Sequence, residues 1–309
     1  MQVLATRRFP GPAWNELCDV ELVGEHGLDR PRPGVEALVL ANERVDEALL
    51  DLLPNLRLVA NYGVGHDRID LAACARRGVA VTNTPGVLDA ATADLALALI
   101  LACRRRVVEG DRFVREGRWG SGWAESYLVG DELSGATLGI VGLGRIGEAV
   151  AHRARGFGLR LVYTRRNRLE ERRERELGVE YRELDALLAE ADVVSLHMPR
   201  TAETEGLIDA RRLALLRDGA CLVNTARGEI VDEPALVREL VAGRIGAGLD
   251  VFAREPHVPA ELLDLPNVVL TPHLGSATAR TREAMTRLVV DNVLAAEAGQ
   301  PLLTPVTPA

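Results

Sequence analysis

Residues 137–151 read TLGIVGLGRIGEAVA: an apolar strand, a turn with glycines at 142, 144 and 147, and the start of a helix. Each glycine has its own task. Gly142 permits the tight turn, Gly144 lets the backbone approach a pyrophosphate, and Gly147 lets the helix pack closely on the strand. Phosphates then sit on the free N–H groups of the first helical turn, the backbone of Arg145, Ile146 and Gly147. A GxGxxG by itself is a common turn. Here a strand precedes it, a helix follows, and residues 159–163 (LRLVY) supply the next strand, so the segment reads as a nicotinamide-type dinucleotide site.

The same alternation extends outward to both chain ends. Apolar strand patterns fall at 3–6, 37–40, 56–60 and 79–82, then at 137–141, 159–163, 193–197, 221–224, 248–251 and 268–270. Helical patterns separate them, which is the signature of α/β architecture with parallel sheets. A long helical pattern at 91–109 can connect two domains, and another at 278–298 can cross back to the first. The expected fold is therefore two Rossmann-like, doubly wound parallel-sheet domains. A cofactor domain, residues 98–278, is inserted into a flavodoxin-like substrate domain of residues 1–97 and 279–309. The charged run at 169–177 (LEERREREL) reads as a solvated helix face. The Pro-rich tail, 301–309, is expected to be loosely ordered.

With 309 residues, two domains are the default. The net charge of −8 argues against non-specific nucleic-acid binding. There is no lysine, so all 37 basic residues are arginines and one more arginine signals little by itself. Four cysteines at 18, 74, 103 and 221 form no CxxC pair, which argues against a zinc site or disulfide framework and fits a reducing compartment. The first residues, MQVLATRRF, read as a strand rather than a signal peptide, and the apolar helix pattern at 95–103 is too short to span a bilayer. No metal and no membrane are expected, and the cytoplasm is the expected location.

Hydride transfer to an acidic substrate needs a group to hold the acid, a proton donor and a partner for that donor. Three candidates follow successive strands of the second half, where open α/β sheets bind ligands. Arg227, in NTARGEIVDE, offers a planar fork for a carboxylate or carbonyl oxygen. His273, in LTPHLGSAT, can give a proton near neutral pH. Glu255, in LDVFAREP, would stabilise the imidazolium beside it.

These motifs, in order, resemble the D-isomer-specific 2-hydroxyacid dehydrogenases, closest to the glyoxylate/hydroxypyruvate reductases. The likeness covers nearly the whole chain: NYGVGHDRIDL at 61–71, TNTPGVLDAATADLALALIL at 82–101, the glycine turn, VVSLHMPRTAETEGLI at 193–208, and the three motifs above. It implies that Arg227, Glu255 and His273 form the catalytic set. It also implies that the N–H groups of Val64 and Gly65 hold the substrate carboxylate with Arg227. Thr92 would touch the cofactor, Asp250 the nicotinamide amide, and Ala226 the nicotinamide ribose. His197 and Pro199 would line the adenosine side, with Thr204, His273 and Gly275 also in the cofactor site. Trp119 and Trp123 lie where relatives dimerise, and Trp123 would reach a neighbouring subunit's substrate. A homodimer is expected on this ground. Phosphoglycerate dehydrogenases and dinucleotide-sensing corepressors share much of the pattern and remain alternatives.

An NAD-preferring site carries an acid about 20 residues after the glycines to bind the ribose hydroxyls. That place falls at Thr164, followed by Arg165 and Arg166. The carboxylate is missing, and Thr164, Arg165 and Arg166 can instead bond a 2′-phosphate. NADP(H) is the expected cofactor, with NAD(H) the alternative.

Overall fold

The structure is a computed structural model that describes residues 1–24, 27–120 and 122–307. The chain opens with β1 (Val3–Ala5), β2 (Val20–Leu22), β3 (Ala37–Leu40), α1 (Glu47–Leu52), β4 (Leu58–Asn61), α2 (Leu71–Arg76) and β5 (Ala80–Thr82). Helices α3 (Asp89–Arg104) and α4 (Val107–Arg115) follow. Next come β6 (Thr137–Val141), α5 (Arg145–Ala154), β7 (Arg160–Thr164), α6 (Glu171–Leu177), β8 (Val179–Tyr181), α7 (Leu184–Glu190) and β9 (Val193–Leu196). The alternation continues through α8 (Ala210–Leu213), β10 (Cys221–Asn224), α9 (Glu233–Val241), β11 (Gly246–Leu249) and β12 (Val268–Leu270). Helix α10 (Ala279–Glu297) and β13 (Pro305–Val306) close the chain.

The chain divides into two units, Met1–Leu88 with Ser276–Ala309, and Asp89–Gly275. In the first, the strands lie in the order β13-β5-β4-β3-β1-β2, parallel except for the antiparallel β13. In the second, the order is β12-β11-β10-β9-β6-β7-β8, all parallel. The chain reverses its direction of winding between β1 and β3 in one sheet and between β6 and β9 in the other. Ligands bind at such switch points, beyond the C-terminal strand ends. Strands β3, β4, β6, β9 and β10 are buried along their whole length. That is why they read as unbroken apolar runs: helices cover both faces. In the second unit Leu187, Leu222 and Leu240 pack one face and Leu99, Ile140 and Val150 the other. Each such side chain contributes about 2 kcal/mol by leaving water.

The unit boundaries differ from those expected, 97/98 and 278/279. Helix α3 packs along its length on α5, β10, β11 and β12, so the chain changes units before that helix rather than within it. The helical pattern at 91–109 is two helices. Arg106 takes a left-handed φ of 52°, and the Asp131 N–H donates to the Arg104 carbonyl at 2.8 Å in place of the next helical turn. Of the tail, the described residues 301–307 are tied down as well, while 308 and 309 lie outside the described residues: Asn292 accepts the Leu303 N–H at 2.9 Å, and β13 pairs with β5. The charged run at 169–177 holds one buried acid, Glu174, which accepts from Tyr163 Oη at 2.7 Å and from Arg168.

Candidate active site

The glycine turn lies at the switch point of the second sheet. Gly142 has φ 96°, and a Cβ there would come 2.8 Å from the His197 backbone. At Gly147 it would lie 2.4 Å from the Gly142 carbonyl oxygen. Both positions exclude a side chain because the protein's own backbone fills the space. Gly144 is different: an added Cβ meets nothing within 4 Å. The protein's packing therefore does not require glycine there, and the space left beside the helix is a cradle a side chain would fill. Gly144 is the N-cap of α5 and no side chain caps the helix, whereas Asp46, Asp70, Asp209, Asp232 and Thr278 cap α1, α2, α8, α9 and α10. The amides of Arg145, Ile146 and Gly147 thus keep their affinity for an anion. These residues fit a dinucleotide's pyrophosphate.

Beyond β7, Thr164 is half-buried and no acid stands at the strand end. Arg165 Nη1 donates to the Leu143 carbonyl of the glycine turn at 3.3 Å, which holds this arginine beside the pyrophosphate cradle. Arg166 is exposed and ion-paired with Glu203, a partner that the sequence reading did not foresee. Beyond β9, burial lowers the His197 pKa to about 4, so its ring is neutral and shares a 2.8 Å hydrogen bond with Ser195 Oγ. Thr204 Oγ1 donates to the Pro199 carbonyl at 2.7 Å and fixes the loop between them.

Arg227, Glu255 and His273 follow β10, β11 and β12. Asn224, buried at the end of β10, brackets the first: its Oδ1 accepts the Ala226 N–H at 3.0 Å and its Nδ2 donates to the Arg227 carbonyl at 2.8 Å. Glu255 Oε2 lies 2.8 Å from His273 Nδ1. Burial acts to raise the Glu255 pKa. The hydrogen bond and charge of His273, the Phe252 N–H and the charge of Arg227 outweigh it and leave the carboxyl below its ordinary value. Glu255 is therefore ionised at neutral pH. With Nδ1 taken, Nε2 is the ring nitrogen left to give a proton.

His273 has φ 55°, a left-handed conformation that costs an L-residue about 1–2 kcal/mol. Asp250 holds it there. Its Oδ1 accepts Thr271 Oγ1 and the Leu274 N–H, each at 2.6 Å, and its Oδ2 accepts the Gly275 N–H at 2.9 Å. The His273 N–H itself donates to the Asp250 carbonyl at 2.9 Å. Burial pushes the Asp250 pKa above its ordinary value despite these donors. Thr92 Oγ1, on α3, donates to the Gly275 carbonyl at 3.1 Å from the other side. Asp250 and Thr92, which the family resemblance gives to the cofactor, also brace the loop that carries His273.

In the first unit, β4 ends in buried Asn61. Its Nδ2 donates to the carbonyls of Gly63 at 3.1 Å and Gly65 at 2.8 Å, while Asn83 Nδ2 donates to the Val64 carbonyl at 2.9 Å. All three carbonyls are turned into the protein. Among the described residues, the N–H groups of Val64 and Gly65 have no acceptor. A loop built this way suits a carboxylate. Trp123 is not brought into the Arg227–Glu255–His273 cluster; it is 82% exposed. Among the described residues no group of three or more His, Cys, Asp or Glu is placed to hold a metal, and no helix is long and apolar enough to cross a membrane.

Residues 97–275 match the model for the D-isomer specific 2-hydroxyacid dehydrogenase, NAD binding domain. Over 297 residues the chain is 49% identical to a glyoxylate reductase of Pyrococcus furiosus, covering 94% of this chain and 87% of that one. A solved protein of Thermus thermophilus superposes with a TM-score of 0.91 at 44% identity, over 99% of this chain and 100% of the other. An NADPH-dependent glyoxylate/hydroxypyruvate reductase of Sinorhizobium meliloti, solved with NADP and malonate, gives 0.89 at 37% identity, over 99% and 96%. The fold thus has its counterpart in a solved NADPH-dependent reductase. The chain belongs to the D-isomer specific 2-hydroxyacid dehydrogenase family.

Proposed function

We propose that this enzyme reduces glyoxylate and hydroxypyruvate to the corresponding 2-hydroxy acids, of D configuration where the product is chiral, with NADPH as the preferred reductant. The observation that carries the reading is the 2.8 Å pairing of His273 Nδ1 with an ionised Glu255 on the unit that holds the glycine turn. When bound, the reduced nicotinamide supplies the hydride. In the first unit, the N–H groups of Val64 and Gly65 receive the substrate carboxylate. In the second, Arg227 draws negative charge toward its guanidinium, and His273 Nε2 gives a proton to the carbonyl oxygen as that oxygen becomes an alkoxide. Glu255 holds the ring in register and stabilises the imidazolium before the transfer. Asp250 keeps His273 in place and is the candidate partner of the nicotinamide amide. His197, Pro199, Thr204 and Ala226 are the candidate adenosine and ribose contacts, as in the sequence reading.

The NADP preference rests on the missing acid after β7 and on Arg165 and Arg166. Because Glu203 already pairs with Arg166, a 2′-phosphate competes with that carboxylate for it. Removing Glu203's charge should therefore tighten NADPH binding. A second copy of this chain is the proposed partner for the apolar surface of Val107, Val114, Trp119, Trp123 and Val129, all exposed on α4 and the segment after it.

The test is oxidation of NADPH and of NADH, measured separately with glyoxylate and with hydroxypyruvate. Faster turnover with NADPH on either acid supports the whole reading. Faster turnover with NADH keeps the reductase and removes the phosphate clamp. Binding of a nicotinamide without oxidation by either acid overturns the assignment.

A further inference from the structure

Two thiols outside the catalytic machinery meet inside the second unit. Cys103 is in the last turn of α3, and Cys221 heads β10, opposite Gly246 and Val193 of its neighbouring strands. Helix α3 runs across β10 and β11, and a Cβ built on Gly248 would lie 3.3 Å from Cys103 Sγ. Glycine there lets this end of the helix sit down on the sheet. Cys103 packs against the buried cluster that holds Cys221, on the face of the sheet that α3 covers, and both are free thiols. Their exposures differ. Cys221 is buried, whereas Cys103 is half-buried and lines a cavity of about 260 Å³ with Arg106 and Arg112.

We propose that Cys103 and Cys221 are a reversible redox pair, closing under peroxide into a disulfide that staples α3 to β10. Cys103 is the sulfur that meets the oxidant. Its Sγ attacks one peroxide oxygen; an S–O bond forms, the O–O bond breaks, and one water leaves, giving a sulfenic acid. Cys221 Sγ then attacks that sulfur. The S–S bond forms, the S–O bond breaks, and the hydroxyl leaves with the Cys221 proton as a second water. Each sulfur is oxidised by one electron, and the peroxide is reduced by two. Thiol reductants reverse the bond by exchange. Cys103 beside it, together with burial, raises the Cys221 pKa and holds it as a thiol. Because the thiolate is the nucleophile, this makes the attack of Cys221 on the sulfenic sulfur the slow step of closure. The staple joins two elements already packed together, so its first effect is on unfolding: 117 intervening residues become a closed loop in the denatured chain.

The experiment treats the whole enzyme with hydrogen peroxide, removes it with catalase, and alkylates the free thiols under denaturing conditions. The expected result is loss of two of the four thiols and a mass lower by about 2 Da before alkylation, the two hydrogens given up. Linked peptides should contain Cys103 and Cys221, dithiothreitol should restore both thiols, and the oxidised protein should melt several degrees higher. Cys103→Ser should keep its remaining thiols through the same treatment. Mapping the bond in the wild-type chain keeps the test valid should that variant fold poorly. Peroxide that over-oxidises Cys103 without a bond to Cys221, or a disulfide that maps to another pair, overturns the proposal.

Discussion

Two loops of this enzyme are held in opposite senses. In the first unit a buried amide, Asn61, gathers carbonyl oxygens and turns N–H groups outward. In the second a buried carboxylate, Asp250, gathers the N–H groups of Leu274 and Gly275 and turns an imidazole outward. Each device fixes a loop through one buried side chain at a strand end, and the sign of that side chain decides what the loop can offer. Donors spent on carbonyls leave a surface for an anion. Acceptors spent on amides leave a rigid perch for a proton donor. The cost of a left-handed His273 is the cost of that perch, and strain of this kind persists where the surroundings over-determine it.

The comparison breaks most completely at Asp250. Asp250→Ala leaves the Leu274 and Gly275 amides and the Thr271 hydroxyl without their acceptor. Buried donors left unpaired cost about 1–3 kcal/mol each, so denaturant unfolding should show a loss of about 3 kcal/mol or more. Turnover should fall with it, because His273 loses its support. Asn61→Asp reverses the sign of the other device, replacing two donations with a carboxylate facing carbonyl oxygens. Steady-state kinetics should show a raised KM for glyoxylate, and NADPH titration an unchanged Kd, with a stability loss of about 2 kcal/mol.

Glu255 sharpens the picture through pH. Its folded pKa lies below the ordinary 4.5, so the stability it adds is fully present above that value. That stability is lost as the pH falls through the folded pKa. The stability difference between wild type and Glu255→Gln, followed by chemical denaturation, should accordingly shrink on acidification and be constant near neutrality. The smallest effect is expected at Thr92→Val, which removes one hydrogen bond to the Gly275 carbonyl. Unfolding should change by about 1 kcal/mol, with a modest fall in kcat.

What the sequence revealed and what it hid follow the same division. The glycine turn was legible because its constraints are local: Gly142 and Gly147 answer to backbone a few residues away or one strand over. The central strands were legible because burial on both faces writes a continuous apolar run. Arg227, Glu255 and His273 stood out as polar residues after such runs, and family likeness gave them roles. The bracing by Asp250, Asn61 and Asn224 was not legible, since each depends on which loop folds back over a strand end. Edge strands β2, β8 and β13 are two or three residues long and leave no periodicity to read. The break after Arg104 was hidden because the amide that ends α3 comes from Asp131, on a segment folded back against the helix.

The most direct test of the account is a single-turnover reaction of NADPH-loaded wild type and His273→Ala with glyoxylate, following loss of reduced-nicotinamide absorbance. The account predicts unchanged NADPH affinity and oxidation slowed by about 100-fold or more in the variant, the loss of a positioned general acid. Oxidation at close to the wild-type rate would contradict it.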